Sequence, residues 1–568
     1  MSSELGRKLC IPLMLAFSAF VSLRAAAEIF APEDAYIDGS VHAYYGSENA
    51  WDLRFFNEHI YDPKLPGRPG QRQMLDIVDN KLDDAIQYCQ ERLGDHPGEL
   101  ESLFNLAVAC AQRGDSQDAL AAMKKALRGG LVPERFLAGP RDELQALQSL
   151  PDFQRIVGAD KIRLLHGPML GDMTDRSVTA WVRTIDETNV RILASTSSHL
   201  AKPIQSAAVA TSAARDFTAI ARLDGLEPDT LYYYDVQING QSSLGPDYPQ
   251  FRTYVRAGTP ARFQVAFGGG AGYVTRNERM WDTLASHKLA GFLFLGDNVY
   301  VDLPRAECGM HHYTYYRRQS RAEYRRLVEL TPIYAIWDDH DCATDDLFFG
   351  PYADKPSWKP DMWKVFRNNW NNPSYAGGET PGCWFRFSIA DVDFFMLDGR
   401  YYRTNPEAPD PTMLGPLQKT WLLDAMKQAT GKFKVLASPV PWAFDAKGDA
   451  IDTWNGFRSE RQEIFRFLSD NNIEGVVLIS ADRHRSDARR IKRPGSYSLY
   501  EFESSNLTNI ITHGPSGETI FFYNEKPSFG LLTFDTTKSD PEVTYEIVSI
   551  DDEVIHSLTL RRSHLTTR

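Results

Sequence analysis

Six short apolar runs in the second half of the chain set the strongest limit on its fold: residues 263–267, 292–295, 333–337, 394–397, 433–436 and 476–479. Each is four or five residues long. A dense run of that length, without sustained polar alternation, describes a strand buried on both faces, as in sheets covered by other layers. Each run stops abruptly, within a residue or two, at Gly, Asp, Arg, His or Ser. Loops at the carboxyl ends of such strands converge and form ligand sites, so function is expected at these polar tips.

The runs occupy only part of 568 residues. At roughly 150 residues per domain, three to four folded units are expected. A 43% hydrophobic composition supplies real cores and excludes disordered and collagen-like classes. We expect a leader at residues 1–27, a helical tetratricopeptide-like region at 28–160, a β-sandwich at 161–258 and a catalytic domain at 259–568. The leader reading rests on Arg7 and Lys8, the apolar stretch 9–23 and the small residues Ala25, Ala26 and Ala27. It implies export to a periplasmic or extracellular compartment. No later stretch is long enough for a transmembrane helix.

The helical region carries a repeat. Ala85 and Ala119 lie 34 residues apart, and Asn105-Leu106-Ala107, Gly114-Asp115, Ala119-Leu120 and Ala126-Leu127 fall at the offsets of a tetratricopeptide helix pair. Cys89 and Met123 share one core position in this register, which makes Cys89 a packing residue. The region is expected either to dock a protein partner or to serve as a structural appendage. From 162 to about 253 the period changes to two, as in Ser177-Val178-Thr179-Ala180-Trp181-Val182-Arg183, and turn residues separate the segments. Leu226-Glu227-Pro228-Asp229-Thr230-Leu231-Tyr232 resembles the tyrosine corner of fibronectin type III domains.

The chain holds 75 acidic and 62 basic residues, a net charge of -13 that becomes -15 once the leader is removed. Such a balance opposes a nucleic-acid-coating role. The five cysteines beyond the leader fit neither a dense disulfide framework nor a zinc pattern.

Four tips carry the chemistry. Gly296-Asp297-Asn298-Val299-Tyr300 places a carboxylate and a phenol together, a hard anionic pair suited to a strongly acidic metal. Asp338-Asp339-His340-Asp341 crowds three carboxylates and an imidazole into four residues. Burying them together raises their pKa values, a conflict that a cation or full solvation removes. Ser480-Ala481-Asp482-Arg483-His484-Arg485 offers oxygen and nitrogen ligands two apart, on one side if the strand continues. Arg483 and Arg485 are candidates for phosphate binding. Asp398-Gly399-Arg400 adds an arginine suited either to a bidentate phosphate grip or to a buried ion pair.

These four motifs, in this order after a small sandwich, resemble the alkaline phosphatase D (PhoD-like) family of metallophosphoesterases. The resemblance implies an α+β fold with an αββα sandwich, and hydrolysis of phosphomonoesters or phosphodiesters by metal-activated water at an iron and calcium type centre. It implies Asp297 as bridging ligand, Tyr300 as iron ligand, Asp338 and Asp339 at the metal, and Asp482 with His484 completing the centre. His340 then acts as transition-state partner and Arg400 as a catalytic cation. The family's metal-ligating cysteine at the end of the first catalytic strand is absent: the chain reads Phe267-Gly268-Gly269-Gly270-Ala271. Ala481 replaces a usual glycine, and the leader lacks a twin arginine. Cys342 is expected to pack rather than to take over the cysteine's role. The alternative to an enzyme is a catalytically silent metal-binding scaffold in the cell envelope that docks a partner through its helical region.

Overall fold

The computed structural model describes residues 68–158 and 161–567. The expected leader lies outside the described residues. Among them, no helix is long and apolar enough to cross a membrane.

The helices Gln71–Val78, Leu82–Asp95, Leu100–Arg113 and Ser116–Arg128 open the described chain, followed by shorter helices to Val157. Ala85, Ala107, Ala119 and Ala126 are wholly buried, as close helix approach requires. Cys89 and Met123 are buried with them. Helix Gln71–Val78 packs against helix Gly309–Gln319 of the catalytic portion. There Tyr313 donates to Glu101 at 2.6 Å and Arg305 pairs with Asp79 at 3.0 Å. The helical region therefore covers one of its faces with this chain's own catalytic portion.

Two small antiparallel sheets follow, one from Leu164–Gly171, Ser177–Thr184 and Thr218–Asp224, the other centred on Asn189–Ser195 and Leu231–Ile238. The alternation in Ser177–Thr184 predicts one face in water, but every residue of that strand is buried. Its polar face lies against the catalytic portion. Trp181 Nε1 donates to the Asn368 carbonyl at 2.8 Å, and the Arg183 guanidinium donates to Gln319 at 2.5 Å and to Asn369 at 2.8 Å. A polar face satisfied by partners is as compatible with burial as an apolar one.

The catalytic portion has two facing sheets. The first orders its strands as Ile333–Ile336, Gly291–Leu295, Arg262–Gly268, Ser528–Asp535, Glu542–Ser549 and Val554–Arg561. The second orders Phe385–Ile389, Val392–Met396, Phe433–Ala437, Val476–Ser480, Leu499–Ser504, Ser486–Ile491 and Phe521–Tyr523. Aromatic pairs join them: Phe502 stacks on Tyr545 at 4.3 Å and Tyr334 on Phe387 at 3.8 Å. Helices cover the outer faces, with Trp281 against Phe294 and Trp421 against Phe395. All six apolar runs are strands of these sheets. The three C-terminal strands of the first sheet are not among those runs; of them Glu542–Ser549 alternates, burying every second residue over most of its length.

His312 ties the layers together, with Nε2 2.9 Å from Glu307 and Nδ1 3.5 Å from Asp216 of the sandwich. Burial opposes its charge, but Asp216 and Glu307 prevail and raise its pKa to about 9. A histidine raised in the folded state contributes stability that is complete below its unfolded value and is lost as pH rises through the folded one. Denaturation at about pH 6 and about pH 9.5 is therefore expected to show a loss on the order of 2–3 kcal/mol at the higher pH. His312→Gln is expected to flatten that difference.

Candidate metal centre

The tips of Gly291–Leu295 and Ile333–Ile336 meet at Gly296. A side chain there would place its Cβ 2.5 Å from the Asp338 Cβ, and Gly296 turns at φ 110°. Glycine alone accepts both conditions without strain. The Asp341 carboxylate then sews the tips together. It accepts backbone N–H groups from Asn298 at 3.0 Å, Val299 at 3.1 Å and Asp338 at 2.9 Å. Asp341 is thus a brace, a role that the crowded run in the sequence did not reveal.

Asp297 emerges from this turn 3% exposed. Tyr300 donates to its Oδ2 at 3.1 Å, and Asn509 donates to the Tyr300 oxygen at 2.9 Å. From the second sheet, His484 brings Nε2 to 3.2 Å from the Tyr300 oxygen and 3.7 Å from Asp297 Oδ2. Burial first, and then Asp297, push the Tyr300 phenol well above its ordinary pKa. The phenol is therefore a proton donor in the absence of a cation.

Asp482 and His484 do not continue a strand. Val476–Ser480 ends before them, and both residues turn at positive φ, 77° and 47°. His484 consequently faces Tyr300, while Asp482 Oδ1 lies 3.5 Å from Lys447 Nζ. Lys447 also pairs with Asp346 at 2.8 Å and Asp452 at 3.1 Å. Its loop carries no sequence signal of such a role.

Two arginines need correction. Arg400 has no exposed surface; its guanidinium meets Asp338 at 2.5 Å, Asp452 at 2.9 Å and Asp339 at 3.3 Å, and donates to the Leu347 carbonyl at 3.0 Å. Its donors are committed to carboxylates, so it supports them and does not grip substrate. Arg485 is equally buried, donating to Asp487 at 2.9 Å and to the carbonyls of Gly514 and Ala446. Arg483 is different: it keeps 13% of its side chain exposed beside Asp482.

His340 binds a partner that sequence reasoning missed. Its Nδ1 lies 2.5 Å from Asp302 Oδ1, and its ring packs on Tyr300 with centroids 4.5 Å apart. The outer nitrogen, Nε2, lies 3.7 Å from the exposed Asp345. Burial disfavours the imidazolium, yet Asp302, Asp297 and Asp339 together hold its pKa well above the usual histidine range. Asp302 stands two residues past the Gly296–Tyr300 motif, and that proximity was the available signal.

Ligand atoms of Asp297, Asp339 and His340 lie within 4.8 Å of one another, as do those of Asp339, Asp346 and Asp452. Buried Asp297 Oδ1, Asp338 Oδ2, Asp482 Oδ2 and His484 Nδ1 lack hydrogen-bond partners. Buried acceptors of this kind ordinarily find one. The donor set of carboxylates with imidazole and phenol fits a hard cation.

The glycine run explains the absent first-strand ligand. A Cβ at Gly268 would lie 2.7 Å from Leu507, one at Gly269 would lie 2.7 Å from Ala481, and one at Gly270 would lie 2.0 Å from the Ser505 carbonyl oxygen. The side chains of Leu507 and Ala481 and the backbone of Ser505 fill the place of a side chain. Gly270→Ser, which adds a clash at φ 64°, is expected to lower stability by about 2–4 kcal/mol in urea denaturation; an unchanged midpoint contradicts the close packing.

Residues 265–520 match the family model of PhoD-like phosphatase, residues 161–267 match a domain of unknown function, DUF7800, and residues 81–129 match a tetratricopeptide repeat. Alkaline phosphatase D of Bacillus subtilis (strain 168) is 23% identical over 318 residues, 47% of this chain and 53% of that protein. The chain thus spans about half the length of this curated relative. A solved structure of PhoD superposes with a TM-score of 0.58 at 17% identity, covering 70% of this chain and 90% of that one. A purple acid phosphatase from yellow lupin (Lupinus luteus) seeds gives 0.54 at 11% identity, covering 70% and 75%. These likenesses establish a shared α+β fold. Residues 265–520 are therefore similar to the PhoD-like phosphatases and, ahead of them, residues 81–129 to a tetratricopeptide repeat.

Proposed function

We propose that this chain is an exported, metal-dependent phosphoester hydrolase acting on phosphomonoesters, phosphodiesters or both. The observation that carries the reading is the convergence of Asp297, Tyr300, Asp339, His340 and His484 from two sheets onto one buried cluster with unpartnered oxygen atoms. Asp297, Asp338, Asp339, Asp482 and His484 are the residues proposed to hold the metals, with Tyr300 at a trivalent ion. The carboxylates suit an oxygen-preferring ion such as calcium, and the phenol suits iron. Bound there, the cations supply Lewis-acid polarisation of a water molecule and of the phosphoryl oxygens.

The chain's own residues do the rest. Asp302 holds His340 charged, with Nε2 directed toward the mouth, where it can donate a hydrogen bond to a phosphoryl oxygen or a proton to the leaving alkoxide. Arg483, which keeps part of its side chain exposed beside Asp482, supplies positive charge for an anionic ester in an otherwise acidic protein. Arg400 pairs with Asp338 and Asp339 and fixes both; it holds the Asp339 carboxyl below the usual carboxylate range, whereas burial pushes that of Asp338 up.

Three finer readings accompany this one. The tetratricopeptide repeat is taken to dock a protein partner. The sandwich is taken as fibronectin type III-like, because Tyr232 accepts the Glu227 backbone N–H at 2.9 Å as a tyrosine corner does. Export rests on the leader in the sequence.

With chromogenic mono- and diester substrates, wild type is expected to be active, to lose activity on chelation and to regain it with added metal. Asp297→Asn is expected to lower kcat/KM by at least about 10³-fold. Wild-type protein inactive on both ester classes after reconstitution with calcium and iron would favour the silent scaffold, for which the glycine run is the best argument.

A further inference from the structure

The helical region reaches the Asp302 and His340 end of the site through Arg68. Arg68 Nη1 lies 2.9 Å from Asp302 Oδ2, and its guanidinium sits over the Tyr300 ring, 5.1 Å from the centroid. Asp302 has no exposed surface and uses its other oxygen on His340. The His340 ring in turn packs on Tyr300. Arg68, Asp302, His340 and Tyr300 thus close a cycle of contacts among three segments of the chain. From it we propose that Arg68 is a positioning residue for His340, which makes the N-terminal helical region a working part of the catalytic unit. The proposal rests on the phosphoester hydrolase reading of the site.

The backbone around Arg68 is fixed from both the helical region and the two-sheet portion. Arg317 donates to the Pro69 carbonyl at 2.8 Å, Asn105 donates to the Gly70 carbonyl at 2.7 Å, and Gln71 Nε2 donates to the Tyr300 carbonyl. Gly70 turns at φ 83°, and a Cβ there would lie 2.0 Å from the Tyr313 oxygen. The chain therefore enters its first described helix along a single path, one that delivers the guanidinium to Asp302.

The physical consequence concerns orientation. A buried carboxylate held on one oxygen alone pivots about that contact, whereas Asp302 has a partner at each oxygen, a hydrogen bond with His340 at Oδ1 and an ion pair with Arg68 at Oδ2. Its plane is fixed, and so is the direction in which the bonded His340 imidazole presents Nε2. Supports of this kind, removed from the reacting atoms by one residue, act through geometry. Nothing in the tetratricopeptide match at 81–129 includes Arg68. Its role follows from where the chain enters the helical region.

The test uses the full chain with Arg68→Met and Arg68→Lys, each compared with wild type in steady-state hydrolysis of a chromogenic phosphate ester and in thermal melting. For Arg68→Met, kcat is expected to fall about 10–100-fold, with KM within about threefold of wild type. Arg68→Lys, which restores a cation, is expected to recover most of the lost kcat. The Arg68→Met crystal structure is expected to show His340 turned from its place between Asp302 and Tyr300. A kcat for Arg68→Met within about twofold of wild type would overturn the proposal. So would a fall that tracks a lowered melting temperature and is not recovered by lysine. If wild type hydrolyses no ester, it is the functional reading that fails, and the crystal structure then decides this point: His340 unmoved in Arg68→Met refutes the positioning role.

Discussion

The architecture is organised around one electrostatic problem, the burial of many carboxylates at the meeting point of two sheets. Asp297, Asp302, Asp338, Asp339, Asp341 and Asp452 are all buried there. Ionised carboxylates in such a place repel one another and lose hydration, and each needs a compensating partner. The structure divides the task. Arg400 serves Asp338, Asp339 and Asp452; Lys447 serves Asp346, Asp452 and Asp482; Arg68 and His340 share Asp302; backbone N–H groups satisfy Asp341. Asp297 receives only a phenol hydrogen bond and a distant imidazole, and its second oxygen has no hydrogen-bond partner. The compensation is incomplete where a cation is required.

This division separates residues that look alike in sequence. Arg400, Arg483 and Arg485 all follow strand ends, and all three suit a phosphate. Burial distinguishes them, and burial depends on which loops fold over each tip. The 445–455 loop supplies Lys447 and Asp452, and so determines how Asp339, Arg400 and Asp482 are paired. No spacing rule reaches from one strand tip to that loop. By contrast, Gly296 and Asp297 were legible because a turn at a strand end has local causes, a glycine and an abrupt change from apolar to charged residues. The same is true of the six buried strands. Of the C-terminal strands, Glu542–Ser549 was missed because alternation is a weaker signal than a dense apolar run. The expected one-sided face of Ser177–Thr184 failed for a tertiary reason: Asn368, Asn369 and Gln319 offer its polar groups a dry but satisfied environment.

The net charge of -13 takes on a different meaning in this light. Part of the acidity belongs to the cluster itself and is locally offset by Arg400, Lys447, His340 and the proposed metals. The N-terminal helices and the sandwich are both tied to the two-sheet portion, the first through Arg68 on Asp302 and the second through His312 between Glu307 and Asp216. The regions that precede the catalytic sheets thus belong to the same mechanical unit as the site.

The central claim is that the incompletely compensated cluster at Asp297 is a metal site. The most direct measurement is elemental analysis of full-length protein purified without added metal, together with anomalous diffraction from its crystals. The account predicts bound metal with anomalous density at Asp297 and its neighbours Asp339 and His484, and loss of that density in Asp297→Asn. Wild-type protein that holds no metal, and that acquires none after exposure to calcium and iron, would contradict it.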